Sequence, residues 1–149
     1  MLGEFLIDDY GVDGNAQGLG LLPIATQFSA QKTVQRTQAE FLNLHGAWSV
    51  LSGVKVSGYE IHHGHTKLHL AKAFPGDLAH EVMQGLSWQN KAGNVLGTYL
   101  HGLFEDPAVL QAIFGMQTVT METVFEGLAN YLEQHMGIAT LQALIQPVP

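Results

Sequence analysis

The run Gly97-Thr98-Tyr99-Leu100-His101-Gly102-Leu103-Phe104 constrains this chain more than any other stretch. Val95 to Leu100 is short, apolar and bounded by polar residues, and it predicts a strand. That strand ends on His101, beside a glycine. In open α/β sheets, ligands and chemistry collect at the carboxyl ends of strands. A histidine there suits a general base, because its ordinary pKa of about 6.5 lets it take and return a proton near neutral pH. A base of this kind needs a nucleophile within hydrogen-bond reach. The 149 residues contain no cysteine to provide a thiol.

A chain of this length can bury one real core. Hydrophobic residues make up 46 % and charged residues only 13 %, so some apolar surface is expected to be covered by another segment. No apolar run approaches the roughly 18–20 residues of a membrane span. No basic stretch precedes an apolar one in the manner of a signal peptide, and a cytoplasmic protein without a membrane partner is expected. The formal charge is −7 with six Lys and Arg, which argues against nucleic-acid backbone binding. Without cysteine there is neither a disulfide framework nor a thiolate metal site.

In chain order, Met1 to Ile7 is apolar, compatible with a helix and lacks an N-cap. It reads as the inside of a helix entered midway. Asp8 to Gly20 is turn-rich and reads as a connection, since its glycines make neither a phosphate loop nor a dinucleotide fingerprint. Leu19 to Phe28 predicts a short edge or bent strand interrupted at Pro23. Lys32 to Leu44 has no clean period, and Val34, Phe41 and Leu44 are candidates for hairpin strands. Trp48 to Val56 is β-rich, broken at Gly53. Gly58 to Gly64 and Thr66 to Leu70 continue the β pattern, with Tyr59, Ile61 and His63 on one face and Glu60 and His62 on the other.

Further on, Pro75-Gly76-Asp77 marks a turn, and Asn90 to Asn94 a hairpin turn ahead of the His101 strand. Asp106-Pro107 signals a helix start, cap then first-turn proline, for Ala108 to Phe114. A second helix is expected over roughly Thr120 to His135, with Val124, Leu128, Tyr131 and Leu132 in one stripe. A short third helix is expected over Thr140 to Ile145. A β-rich middle followed by C-terminal helices suits part of an α/β domain.

Two features invite chemistry besides His101. His62, His63, His65 and His69 cluster, but their spacing matches no zinc motif, which needs convergent ligands at characteristic separations. No metal is expected, and the histidines are read as surface or hydrogen-bonding groups. Glu60 is either solvated or orients a group at the strand's end.

Four blocks resemble the glutamine amidotransferase domain of the cobyric acid synthase family. They are Met1-Leu2-Gly3 with Ile7-Asp8-Asp9; Gly18-Leu19-Gly20-Leu21-Leu22-Pro23; Gly58-Tyr59-Glu60-Ile61-His62-His63-Gly64; and Gly97 to Phe104. They stand in the family's order and span nearly the whole chain. Cobyrinic acid a,c-diamide synthases and the amidotransferase that acts on cell-wall lipid precursors look similar in the same blocks. The resemblance implies an incomplete class I-like, flavodoxin-like amidotransferase domain over residues 1–149. In that family a cysteine attacks the side-chain amide of glutamine, and a histidine matching His101 serves it as base and acid. The cysteine belongs to a Cys-Gly-Gly-x-Gln block that would lie just before Met1.

Leu103 stands where many class I relatives carry a glutamate that orients the histidine, and Glu105 is too far along to be assumed equivalent. Glu60 is then a candidate orienter. Lys32 falls where related enzymes place a basic residue near the glutamine carboxylate. The family further implies a preceding synthetase domain with ATP and Mg²⁺, a corrinoid acceptor bound there, and no cofactor in residues 1–149. A chain with the base but no nucleophile should not turn over glutamine alone. Its missing strands should leave an open sheet edge that favours self-association. The other classes to weigh are a nucleophile-less binding or regulatory domain and a histidine-cluster metal protein.

Overall fold

The computed structural model describes residues 1–69, 78–115 and 119–145. Among the described residues, two sheets and three α-helices form a mixed α/β structure. The first sheet has the order β2-β1-β3-β4-β8, with β1 Phe5–Ile7, β2 Ala16–Gln17, β3 Ile24–Glu40, β4 Lys55–Leu68 and β8 Leu100–His101. The second runs β5-β6-β7, with β5 His80–Met83, β6 Ser87–Gln89 and β7 Leu96–Thr98. Pairing in both sheets is antiparallel except between β1 and β3.

The long β3–β4 pair is the spine. Its register runs from Ile24 opposite Leu68 to Glu40 opposite Lys55, broken by a bulge between Phe28 and Thr33. Pro23 therefore does not interrupt a short edge strand: it precedes a 17-residue strand that lies between β1 and β4. Lys32 and Val34 belong to that strand, whereas Phe41 and Leu44 follow it and enter the core. A proline costs no ladder bond when it stands just ahead of the first paired residue.

The helix expected at Met1–Ile7 is absent: Phe5–Ile7 is β1. Seven residues are too few to hold a helix on propensity, and parallel pairing with Ala25–Gln27 satisfies the backbone instead. Gly3 also lies so close to the Ile24 carbonyl that a Cβ there would sit 2.6 Å from it. The β pattern at Trp48–Val56 is overruled too. Gly46–Leu51 is a 3₁₀ helix, and β4 begins only at Lys55. Leu51 is fully buried, and the Ser52 hydroxyl accepts from the Leu44 N–H at 2.9 Å, so tertiary anchoring holds this segment in a tight turn.

The Asn90–Asn94 turn joins β6 to β7 as expected, with Asn90 Oδ1 accepting the N–H groups of Asn94 and Val95. The strand after it is not continuous. β7 ends at Thr98 in one sheet, β8 starts at Leu100 in the other, and Tyr99 makes the crossing.

α1 Pro107–Phe114 starts at the Asp106 cap, whose Oδ1 accepts from Ala108 N at 2.9 Å. Its other oxygen accepts from Ser57 N at 2.9 Å and ties the helix to β4. α2 Met121–His135 begins with a Thr120–Thr123 capping box. α3 spans Ile138–Ile145. Neither α2 nor α3 has a buried residue, so the α2 stripe of Val124, Leu128, Tyr131 and Leu132 is exposed. The larger core cluster lies instead between the first sheet, β5 of the second, the 3₁₀ turn and α1, around Phe41, Leu51, Val82, Leu100, Leu103 and Val109. The turn expected at Pro75-Gly76-Asp77, residue Leu70 and the chain's last four residues lie outside the described residues.

Candidate functional site

His101 is the last residue of β8 and is exposed. It stands directly opposite Tyr59 on β4, and Leu100 stands opposite Glu60. Paired residues on neighbouring strands share a face, and successive residues alternate. Leu100 therefore turns into the core, 3 % exposed, while His101 emerges on the outer face with Tyr59 and Ile61. Beyond it, Gly102 takes a left-handed conformation (φ 80°), the conformation that most favours glycine, and starts the 3₁₀ turn Leu103–Glu105.

The close seating of β8 depends on Gly58. A Cβ there would meet the His101 carbonyl oxygen and lie 2.8 Å from Leu100 Cγ. A Gly-Tyr-Glu block facing a Leu-His block is thus a steric match, in which the glycine lets the histidine strand approach.

Glu60 does not reach His101. Its Oε1 lies 2.8 Å from His62 Nε2, and its Oε2 accepts from Gln35 Nε2 at 2.8 Å and from Thr37 Oγ1 at 3.2 Å. Burial alone would raise the Glu60 pKa, but the bonds from Gln35, His62 and Thr37, with the charge of His62, outweigh it and hold it below the ordinary carboxylate value. The alternation that places Glu60 and His62 on one face is also what separates Glu60 from His101.

The His62 ring stacks on Tyr99, with centroids 4.4 Å apart and planes 24° from parallel. The Tyr99 hydroxyl lies 2.5 Å from Thr66 Oγ1 and 3.1 Å from Thr26 Oγ1. Tyr99 was not among the residues singled out from the sequence. The one signal for it is its place directly before Leu100-His101. Glu60 and His62 also line a cleft of about 770 Å³ between β3–β4 and the β5–β6 turn.

Lys32 lies in the β3–β4 bulge, where four residues on β3 face His63 alone on β4, and it is exposed. The bulge is held by Ser29, whose Oγ is 2.6 Å from the His63 carbonyl. The four neighbouring histidines do not converge. His62 pairs with Glu60, and His69 Nδ1 lies 2.6 Å from Glu4 Oε2. Among the described residues no group of three or more His, Cys, Asp or Glu could hold a metal ion. No helix among them is long and apolar enough to cross a membrane.

The family model for the CobB/CobQ-like glutamine amidotransferase domain matches residues 1–109. The chain belongs to this family. The matched region takes in both sheets, His101 and the start of α1. Among curated relatives, the cobyric acid synthase of Polaromonas sp. (strain JS666) is 63 % identical over 146 residues, covering 97 % of this chain and 29 % of the relative. That of Acidovorax sp. (strain JS42) is 59 % identical over 144 residues, 97 % of this chain and 29 % of the relative. That of Leptothrix cholodnii is 47 % identical over 156 residues, 99 % of this chain and 30 % of the relative. The chain thus spans about three-tenths of the length of the curated relatives it matches. The similarity to cobyric acid synthases extends past residue 109, through the two helices that the family model leaves unmatched.

Proposed function

We propose that this chain forms part of the glutamine-hydrolysing domain of an ATP-dependent amide synthase that works in the cytoplasm. The acceptor would be adenosylcobyrinic acid a,c-diamide, whose peripheral carboxylates become amides. The observation that carries the reading is His101, a base held in strand register at the end of β8 and presented on an open outer face. A segment bearing the nucleophile can meet it there. The names of the relatives support the choice of acceptor.

Amide hydrolysis by this route needs a thiolate, a base beside it, and donors for the tetrahedral oxyanion. His101 takes the thiol proton as the sulfur attacks the side-chain carbon of glutamine, forming the C–S bond. It then returns that proton to the nitrogen, the C–N bond breaks, and ammonia leaves; water then attacks the thioester, the C–S bond breaks, and glutamate and the thiol are released. Lys32, on β3 before Arg36, which shares the register of Tyr59 and His101, pairs in this reading with the carboxylate of the substrate. ATP and Mg²⁺ act on the acceptor elsewhere in the synthase. The sequence has no G-x-x-x-x-G-K-[ST] loop to hold them, and the chemistry of its own residues stops at ammonia. The open side of β3, which carries β1 only along Ala25–Gln27, lets isolated copies associate edge to edge.

The test grafts residues 1–149 into the Polaromonas synthase in place of the matching region and measures ammonia released from glutamine. Replacing His101 by Asn should lower the rate about 10²–10⁴-fold, the usual worth of a positioned acid–base group. Equal rates with and without the substitution would overturn the assignment. No release from the unaltered graft would favour a nucleophile-less binding domain.

A further inference from the structure

The chain changes sheets at one residue. Thr98 closes β7 in the second sheet, Leu100 opens β8 in the first, and Tyr99 lies between them, two residues before His101. The position at which His101 emerges is therefore set by how firmly Tyr99 is held. We propose that Glu60, His62 and Tyr99 form a brace that positions His101, a role resting on the hydrolytic reading above.

Tyr99 is fixed at every part. Its N–H donates to the Leu86 carbonyl at 2.8 Å, its ring is stacked by His62, and its hydroxyl is bound by Thr66 and Thr26. Trp88 meets the ring edge-on, with centroids 5.9 Å apart and an interplanar angle of 86°. The stacking partner is itself fixed. His62 bonds Glu60, and Glu60 is bonded by Gln35 and Thr37 from β3.

The other ring nitrogen of His62, Nδ1, is buried without a hydrogen-bond partner. Nε2 faces the Glu60 carboxylate at 2.8 Å, so the carboxylate bond fixes the ring from one side only. The brace and His101 lie on opposite faces of the first sheet. Glu60 and His62 therefore act through the Tyr99 backbone and have no contact with the substrate. They are positioning residues. This also gives Glu60 an orienting role without contact with the base.

The test has two arms. In the grafted synthase, His62→Ala should lower kcat for glutamine hydrolysis about 10-fold or more, the scale of a sub-ångström to 1 Å misplacement, with KM within about twofold. His62→Phe, which keeps a flat ring on Tyr99, should recover most of the rate. An unchanged kcat in His62→Ala, or kcat and KM shifting together, would overturn the proposal. In the second arm, the histidine ring signals of this chain by itself are followed by NMR in the Tyr99→Phe variant, which removes only the hydroxyl. The His101 signal should shift or broaden while the unfolding midpoint stays close to that of the parent. An unmoved His101 signal refutes the brace. This arm needs no activity, so a graft that releases no ammonia, with or without His101, would count against the hydrolytic reading alone.

Discussion

Gly58→Ala is the sharpest perturbation of the His101 seat. The added Cβ would press on the carbonyl oxygen of His101 and lie 2.8 Å from Leu100 Cγ and 3.0 Å from Leu100 Cδ1. Ordinary carbon contacts are about 3.5–4.0 Å, so β8 must retreat by up to roughly 1 Å. Leu100 is 3 % exposed and cannot simply swing away. Overpacking of this kind costs about 1–3 kcal/mol. Gly58 has no positive φ, so alanine also gains about 0.4–1 kcal/mol from the stiffer unfolded chain. The clash wins, leaving a net loss of up to about 2.6 kcal/mol. At roughly 3 °C per kcal/mol for a chain of this size, the expected fall in Tm reaches about 8 °C. In the grafted synthase, the displaced base should reduce glutamine hydrolysis by about 10²-fold. Scanning calorimetry and an ammonia assay check the two parts. A variant with the parent Tm and the parent rate would show that β8 does not depend on the missing Cβ, and the steric account of the histidine seat would be wrong.

Two further outcomes follow from the site and the sheet. The folded-state pKa of Glu60 is lowered, so its contribution to stability is fully present above its ordinary value near 4.5 and is lost as pH falls through the folded value. Urea midpoints measured from pH 7 to pH 3 should fall less steeply at the acid end for Glu60→Gln than for the parent, and equal slopes would refute this. Isolated copies should grow in apparent mass with concentration in light scattering, and Val34→Lys, at a 65 % exposed position on β3, should reduce that growth by placing charge at the open edge. A parent chain that remains a clean monomer at all concentrations would remove the edge-association argument.

What could be read from the sequence follows the range of each interaction. The Asp106-Pro107 helix start, the Asn90–Asn94 turn and the α2 and α3 helices depend on bonds spanning a few residues, and all formed as expected. Alternation along β4 correctly grouped Glu60 with His62 and Tyr59 with Ile61. The family blocks located His101. Local pattern failed where a distant partner decided the outcome. Within Met1–Ile7, Phe5–Ile7 became a strand because β3 was there to pair with it. The apolar run after Trp48 became a 3₁₀ turn because Leu51 had a core to fill.

The sequence by itself determined the β stretch that ends on a histidine and the family to which the chain belongs. These are matters of residue order and residue size, and they survive without knowledge of what packs where. Only the tertiary structure decided that Val95–Leu100 divides between two sheets, that Glu60 turns away from His101, and that Tyr99 is held by His62, Thr66 and Thr26. The hold on Tyr99 rests on partners 33 and 73 positions away in the chain, whose contributions exist only once the sheets have formed.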